Sequence, residues 1–216
     1  VSAEKQEELT KSLTEKFADN EIALYNSNSV SPTVAGSFFV KSVVAVVITA
    51  ILVVIYVGIR FRRIGGVSAA VTALCALVFD VLITFFTCVL FKLQLDSNYI
   101  AVVLTILGYS LNDTIVIYDR VRENKRLMPD AEIGEVVNAS INTTLKRNVI
   151  TSLTTFVAVM TIVTVSELFG LSTLRTFAIP MAFGIVSGAV SSLFIAGPLW
   201  VIWKRHKAKK AAAKKK

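Results

Sequence analysis

The sequence is poor in the residues that build most catalytic and metal sites. It contains one histidine and two cysteines among 216 residues. The histidine, His206, lies among lysines near the end of the chain, and we assign it no role. We find no cluster of metal-ligand residues, no glycine-rich nucleotide loop and no nucleophile paired with a histidine. The sequence therefore predicts a protein that is not an enzyme and needs neither a cofactor nor a metal ion.

Charged residues are scarce as well. They make up 18% of the chain, whereas hydrophobic residues make up 54%, and these proportions indicate a membrane protein rather than a soluble one. The net charge of +8 would by itself suggest a nucleic-acid partner, but the tail 204–216 holds eight basic residues and no acid. We therefore expect no nucleic-acid partner. Our hypothesis for the basic tail is contact with anionic membrane lipids.

Five apolar stretches are each long enough to cross a bilayer core of about 30 Å as a helix. They cover residues 38–59, 67–91, 99–118, 148–166 and 176–203. The sequence thus predicts an all-α integral membrane protein with a transmembrane domain over 37–203. Cys75 and Cys88 share the second stretch, roughly 20 Å apart in a helix, which is too far for a disulfide. We interpret both as buried, small apolar side chains.

The distribution of basic residues predicts the orientation of these helices. The turn 60–63, the loop 119–147 and the tail 204–216 together hold 17 of the 23 lysines and arginines. The positive-inside rule places these segments in the cytoplasm. Trp200 and Trp203 are then expected in the aromatic belt at the inner membrane surface. Because the number of spans is odd, residues 1–36 are predicted to be extracytoplasmic.

Two segments outside the spans also carry structural patterns. Residues 1–36 are predicted to be the end of a small extracytoplasmic α+β domain, because Leu9, Leu13 and Phe17 recur at helical spacing and 21–30 alternates like a strand. So short a segment cannot bury a core, so we expect the rest of that domain to lie outside this chain. An amphipathic helix is predicted over 130–146. It would lie in the cytoplasmic membrane interface or, with equal weight, against a partner.

Two carboxylates fall inside predicted spans, Asp80 in the second and Asp113 in the third. An ionised side chain at that depth costs about 2.5–3.5 kcal/mol or more, so each is a candidate functional site. For Asp80, a functional carboxyl and a simple interhelical hydrogen bond are equally favoured. Asp113 has the more polar neighbourhood, with a predicted supporting face of Ser110, Asn112, Thr114, Thr151, Thr154 and Thr155.

Arg147 stands at the inner end of the fourth span, where its side chain can reach towards Asp113. Burial favours the neutral form of a carboxyl, whereas a nearby guanidinium favours the ionised form. Movement of Arg147 would therefore load and unload a proton on Asp113. We predict that the two residues form a proton relay. The alternative is a static ion pair that holds two helices together.

Glycines at helical spacing predict where helices approach closely. Gly184 and Gly188 form a GxxxG pattern in the fifth span, which we interpret as a packing motif. Gly108, beside the polar residues of the third span, is predicted to allow another close approach.

The string 108–124 resembles a known family signature. It reads Gly-Tyr-Ser-Leu-Asn-Asp-Thr-Ile-Val-Ile-Tyr-Asp-Arg-Val-Arg-Glu-Asn and resembles the SecF branch of the SecD/SecF family of protein-export membrane proteins, in the resistance-nodulation-division superfamily. Segments 31–36, 79–84, 142–147 and 151–155 are similar to the same family. SecD carries an Asp-Ala-Asn type motif where this chain has 112–114, Asn-Asp-Thr, which favours the SecF branch.

The resemblance implies a multi-pass inner-membrane subunit that works with SecD beside the SecYEG translocon, with YajC and YidC as further candidate partners. Such a subunit uses proton flow to drive late steps in the translocation of an unfolded polypeptide. The family's proton-relay aspartate and arginine match Asp113 and Arg147. The five spans correspond to the family's second to sixth. Phe79 stands where many members have histidine, which weakens a relay role for Asp80.

Two other functions stay open. One is a proton-driven exporter of a small molecule or lipid from the same superfamily, and the other is a structural assembly subunit of a membrane complex. Exporters carry large ligand-binding domains outside the membrane, whereas SecF carries a small one. Residues 1–36 contain only the end of that domain.

Overall fold

The computed structural model describes residues 3–17 and 32–213. Helices form all the regular secondary structure in these residues. They are α1 (Ala3–Lys16), α2 (Pro32–Arg60), α3 (Gly66–Leu90), α4 (Ser97–Leu127), α5 (Ile133–Leu168), α6 (Ser172–Ser191) and α7 (Gly197–Ala213). A 3-10 turn, Arg62–Ile64, precedes α3, and a π-turn, Ser192–Ala196, joins α6 to α7. The chain divides into two compact units, Val1–Ala45 and Val46–Lys216. Every site described below lies in the second unit.

Within residues 3–17 and 32–213, the prediction of five helices long and apolar enough to span a membrane is confirmed. The segments long and apolar enough to cross a membrane are Val40–Arg60, Gly66–Leu90, Asn98–Leu127, Ile133–Leu168 and Ser172–Lys210. The helix predicted from Leu9, Leu13 and Phe17 is present as α1. The strand predicted over 21–30 lies outside the described residues, so the α+β domain stays a prediction. Cys88 is buried as expected, but Cys75 is exposed on the outer surface of α3.

α5 is one uninterrupted helix of 36 residues, where we predicted an amphipathic helix over 130–146 and a separate span. The division was wrong because no proline or glycine follows Gly134 and the buried positions continue at helical spacing from Val136 to Val159. The amphipathic part packs within this chain, since Val136 belongs to the main core. At about 1.5 Å per residue, α5 is roughly 54 Å long, well beyond the thickness of a bilayer core.

The last span continues beyond its predicted end. α6, the π-turn and α7 form one helical segment as far as Ala213, so most of the predicted tail is helical. The π-turn has a local cause in Pro198, which has no N–H for the carbonyl of Phe194 and whose ring would clash with that carbonyl in a regular helix. The wider turn relieves the clash by adding one residue to the coil.

An aromatic cluster joins the turn after α2 to α4 and α7. The ring of Tyr118 lies edge-on to Phe61 with centroids 5.6 Å apart, and 6.0 Å from the ring of Trp200. Trp200 Nε1 donates a hydrogen bond to Ser68 Oγ at 3.0 Å. The prediction that Trp200 lies in an interfacial belt is therefore wrong, because its ring is fully buried in the core by these contacts. Trp203 is exposed on the outer surface of α7.

Candidate functional site

Asp113 lies near the middle of α4 and is only 2% exposed. Its Oδ2 accepts a hydrogen bond from Ser152 Oγ of α5 at 3.5 Å, which is near the upper limit for such a bond. No other hydrogen bond from the described residues reaches this carboxyl group. An ionised carboxylate can accept about four, so most of the hydrogen-bonding capacity of Asp113 is unused by the protein.

α4 and α5 run antiparallel, and two contacts fix their register. Asp113 meets Ser152, and nearer the α4–α5 connection Asn124 Nδ2 donates to Ser140 Oγ at 2.9 Å. Interpolation between these contacts places Arg147 about 7 Å from Asp113 along the helix axis. The arginine and the carboxylate are thus little more than one helical turn apart.

Arg147 lines an open cleft of about 420 Å³. One end of the helical bundle contains Arg60, the last turns of α4 and Lys204, and we call it the basic end. The cleft lies at this end. Its walls comprise Val116, Asp119, Arg120, Arg122, Glu123, Arg126, Thr144 and Arg147. The ion pairs among the described residues do not include one between Arg147 and Asp113. The structure therefore holds the guanidinium beside the cleft rather than in a static pair with the carboxylate.

The predicted supporting face does not form a single surface around Asp113. Asn112 is exposed, and Ser110 turns its hydroxyl to Asp80. The remaining members, Thr114, Thr151, Thr154 and Thr155, donate to backbone carbonyls of their own helices. The residue that does reach Asp113, Ser152, was missed. A series of small polar residues at every fourth position of α5, Ser140, Thr144, Asn148 and Ser152, is the signal that could have identified it.

Asp80 of α3 is fully buried and is held by three serine hydroxyls. Ser110 Oγ of α4 donates to Oδ2 at 2.6 Å, and Ser191 Oγ of α6 donates to the same oxygen at 2.8 Å. Ser187 Oγ donates to Oδ1 at 2.6 Å. The carboxyl group therefore links three helices through hydrogen bonds. Among the described residues no group of three or more histidine, cysteine, aspartate or glutamate side chains could hold a metal ion.

Two glycines of α6 make this convergence possible. A Cβ at Gly188 would lie 3.1 Å from Ser110 Cβ, and a Cβ at Gly184 would overlap Ile106 Cδ1. The packing interpretation of the GxxxG pattern is confirmed, since both glycines face α4. The prediction for Gly108 is wrong, because a Cβ there would meet nothing within 4 Å.

The comparisons with known proteins agree with this architecture. The family model described as "Protein export membrane protein SecD/SecF, C-terminal" matches residues 9–206. The chain is 37% identical over 214 residues to protein translocase subunit SecF of Synechocystis, covering 97% of this chain and 65% of that protein. It is 38% identical over 193 residues to protein translocase subunit SecDF of Bacillus subtilis, covering 87% of this chain and 25% of that protein.

Solved structures show the same fold. The crystal structure of SecDF from Thermus thermophilus matches with a TM-score of 0.79 and 34% identity, covering 95% of this chain and 27% of that one. SecDF in its super-membrane-facing form matches with a TM-score of 0.76 and 32% identity, covering 99% of this chain and 28% of that one. The chain thus spans about two thirds or less of the length of these relatives. By sequence and fold, it belongs to the SecD/SecF family of protein-export membrane proteins.

Proposed function

We propose that this chain is the membrane domain of a SecF-type translocase subunit, in which proton flow through the membrane drives late steps of protein export. The observation that carries the proposal is Asp113, a buried carboxyl with free hydrogen-bonding capacity, about one turn from a cleft lined by Arg147. Membership of the family supports the same function, since its relatives are named translocase subunits.

The proposed chemistry is a proton relay in which Arg147 changes its distance from Asp113. When the guanidinium lies in the cleft, burial favours the neutral, proton-loaded carboxyl. When it moves towards α4 it stabilises the carboxylate, and the proton leaves. Each proton that crosses the membrane potential releases about 2.3 kcal/mol per 100 mV. A two-state conformational change can be driven by energies of that size.

We propose that the protein lies in the inner membrane of the cell. In the proposed orientation, its basic end faces the cytoplasm. Arg60, the end of α4, the start of α5 and the tail 204–216 would all lie there, as the positive-inside rule requires. Residues 1–36 would be extracytoplasmic. Protons would then enter from the opposite end and leave through the cleft.

We propose SecD as the direct partner, because the relative from Bacillus subtilis and the solved structure from Thermus thermophilus are both SecDF proteins, in which the two halves share one chain. The SecYEG translocon and an unfolded polypeptide would be the further partners, with YajC and YidC as additional candidates. Membrane lipids would contact the exposed apolar faces. Exposed valine, isoleucine and leucine side chains along α2 support this contact.

The test is proton conductance of the full-length protein, reconstituted with SecD in liposomes. We expect Asp113→Asn to abolish the conductance, because the amide cannot bind and release a proton. The matched control is Asp130→Asn, which makes the same chemical change at an exposed loop position. Assembly with SecD should survive both substitutions.

Arg147 provides the second arm of this test. Arg147→Met should also abolish conductance, and a double-mutant cycle with Asp113→Asn should show strong coupling between the two positions. Independent effects would disprove the switch. If the Asp113→Asn variant still supported full protein export, the structural assembly subunit would be favoured. If the unsubstituted protein transported a small molecule or lipid with protons but supported no protein export, the exporter would be favoured.

A further inference from the structure

Asn148 of α5 is a polar side chain that the protein leaves without partners. It is 1% exposed, and neither its Oδ1 nor its Nδ2 has a hydrogen-bond partner. Buried amide groups are nearly always hydrogen-bonded, because removing an unpaired one from water is unfavourable. Both a donor and an acceptor are therefore available at this position.

The position of Asn148 along α5 is distinctive. One turn towards the middle of the helix is Ser152, whose hydroxyl contacts Asp113. In the other direction, Arg147 and Thr144 line the cleft at the basic end. The register of α4 and α5 sets Asn148 about level with Val116, another residue of the cleft wall. Asn148 thus lies between the cleft and Asp113.

An amide in such a place suits a water molecule. Its Nδ2 can donate to the water oxygen, its Oδ1 can accept a water proton, and a buried water typically makes two to four hydrogen bonds. We propose that Asn148 holds a water molecule that connects the carboxyl of Asp113 to the cleft, and so positions the exit step of the proton path. This inference rests on the proposed proton relay and names one of its parts.

The transfer would conserve protons at each step. The O–H bond of the protonated Asp113 carboxyl breaks, and its proton joins the oxygen of the water held by Asn148. That water then gives one of its other protons to water in the cleft and returns to its neutral form. Asn148 itself exchanges no proton, because a side-chain amide neither gains nor loses a proton near neutral pH. Its part is to orient the water.

The experiment measures proton conductance of the full-length protein with SecD in liposomes. Asn148→Leu keeps the size of the side chain and removes both hydrogen-bonding groups, so we expect conductance to fall by about a hundredfold, the lower end of what a positioned proton transfer contributes. Asn148→Thr keeps a hydroxyl that can hold water and should restore most of the conductance. Asn142→Leu, an identical substitution at an exposed position of the same helix, should have no effect.

Thermal stability provides a second readout that does not depend on conductance. If Asn148 holds no water, Asn148→Leu should raise the melting temperature by removing an unpaired polar group, and it should leave conductance unchanged. That result would overturn the inference. Loss of conductance in Asn148→Leu without rescue by Asn148→Thr would also overturn it. If Asp113→Asn itself leaves conductance intact, the proton relay fails instead, which distinguishes the two failures.

Discussion

At the residue scale, the two buried carboxylates are in contrasting surroundings. Asp80 accepts short hydrogen bonds from three hydroxyls, whereas Asp113 accepts one long bond. A carboxyl whose oxygens are occupied by protein donors is suited to joining helices. One with free acceptor capacity beside a cleft is suited to exchanging a proton. The geometry therefore favours the interhelical hydrogen-bond interpretation for Asp80 and makes Asp113 the candidate for the proposed relay.

This contrast predicts different effects of substituting Asp80. Asp80→Ala should lower the free energy of unfolding by about 2 kcal/mol, because interhelical hydrogen bonds in membranes contribute roughly 0.6 kcal/mol each and three are lost. Asp80→Asn should cost less, since the amide fits the same space and serine hydroxyls can either donate or accept. Unfolding in bicelles would measure both values. Asp130→Ala, at an exposed position, is the control.

The opposite pattern would give Asp80 a functional role. If Asp80→Asn kept its stability but lost proton conductance, the carboxyl would have to titrate during transport. The prediction is that conductance in Asp80→Asn stays close to that of the unsubstituted protein.

Sequence reasoning at this scale identified the carboxylates but not their partners. Asp80 and Asp113 stand out because charge inside an apolar stretch is costly. Their partners depend on which of several serines and threonines faces inward, and on the register between helices. Ser110 was assigned to the neighbourhood of Asp113 because both are on α4, but it faces α3 and α6 instead. A single span does not contain that information.

At the scale of helices, close packing of α6 on α4 depends on two positions without a side chain. Gly184→Ala should destabilise the protein by about 1–3 kcal/mol, because the added methyl group would overlap the end of the buried Ile106 side chain, which would have to shift within a packed core. Gly108→Ala makes the same change on α4, where a Cβ meets nothing. It should be neutral or stabilise the helix by about 0.5 kcal/mol. Thermal unfolding of both variants checks the prediction.

Equal effects of the two substitutions would contradict this assignment of the packing surface. The sequence distinguished these glycines only in part. The GxxxG spacing of Gly184 and Gly188 indicated a contact, and that contact exists. Gly108 had no second glycine at helical spacing, and its polar neighbours suggested a contact that the helix does not make on that side.

At the scale of the whole molecule, the number of spans and the clustering of basic residues followed from the sequence, because both depend on composition over long segments. The lengths of helices followed less well. α5 continues through Lys146 and Arg147, since charged residues interrupt an apolar run without breaking a helix. Apolar runs mark where a helix meets lipid, and the helix itself ends only where capping residues, glycine or proline end it.

The orientation of the molecule can be tested by labelling. In a variant with Cys75 and Cys88 replaced by alanine, Lys209→Cys should react with a membrane-impermeant thiol reagent in inside-out vesicles only. Ser172→Cys, at the opposite end of the same helical segment, should react in right-side-out vesicles only. The reverse pattern would place the basic end outside the cell and would invert the proposed direction of proton flow.

The π-turn at Ser192–Ala196 separates the last span into two stretches whose inward faces are set independently. Losing one residue within this turn would leave a regular helix with both inward faces retained, provided that Pro198 were also replaced. Deleting one residue of α6 before Ser187 would instead rotate Ser187 and Ser191 by about 100° relative to the part of α6 that precedes the deletion. A one-residue deletion in this span can therefore keep both the serines around Asp80 and the aromatic core around Trp200 only if it falls in the π-turn.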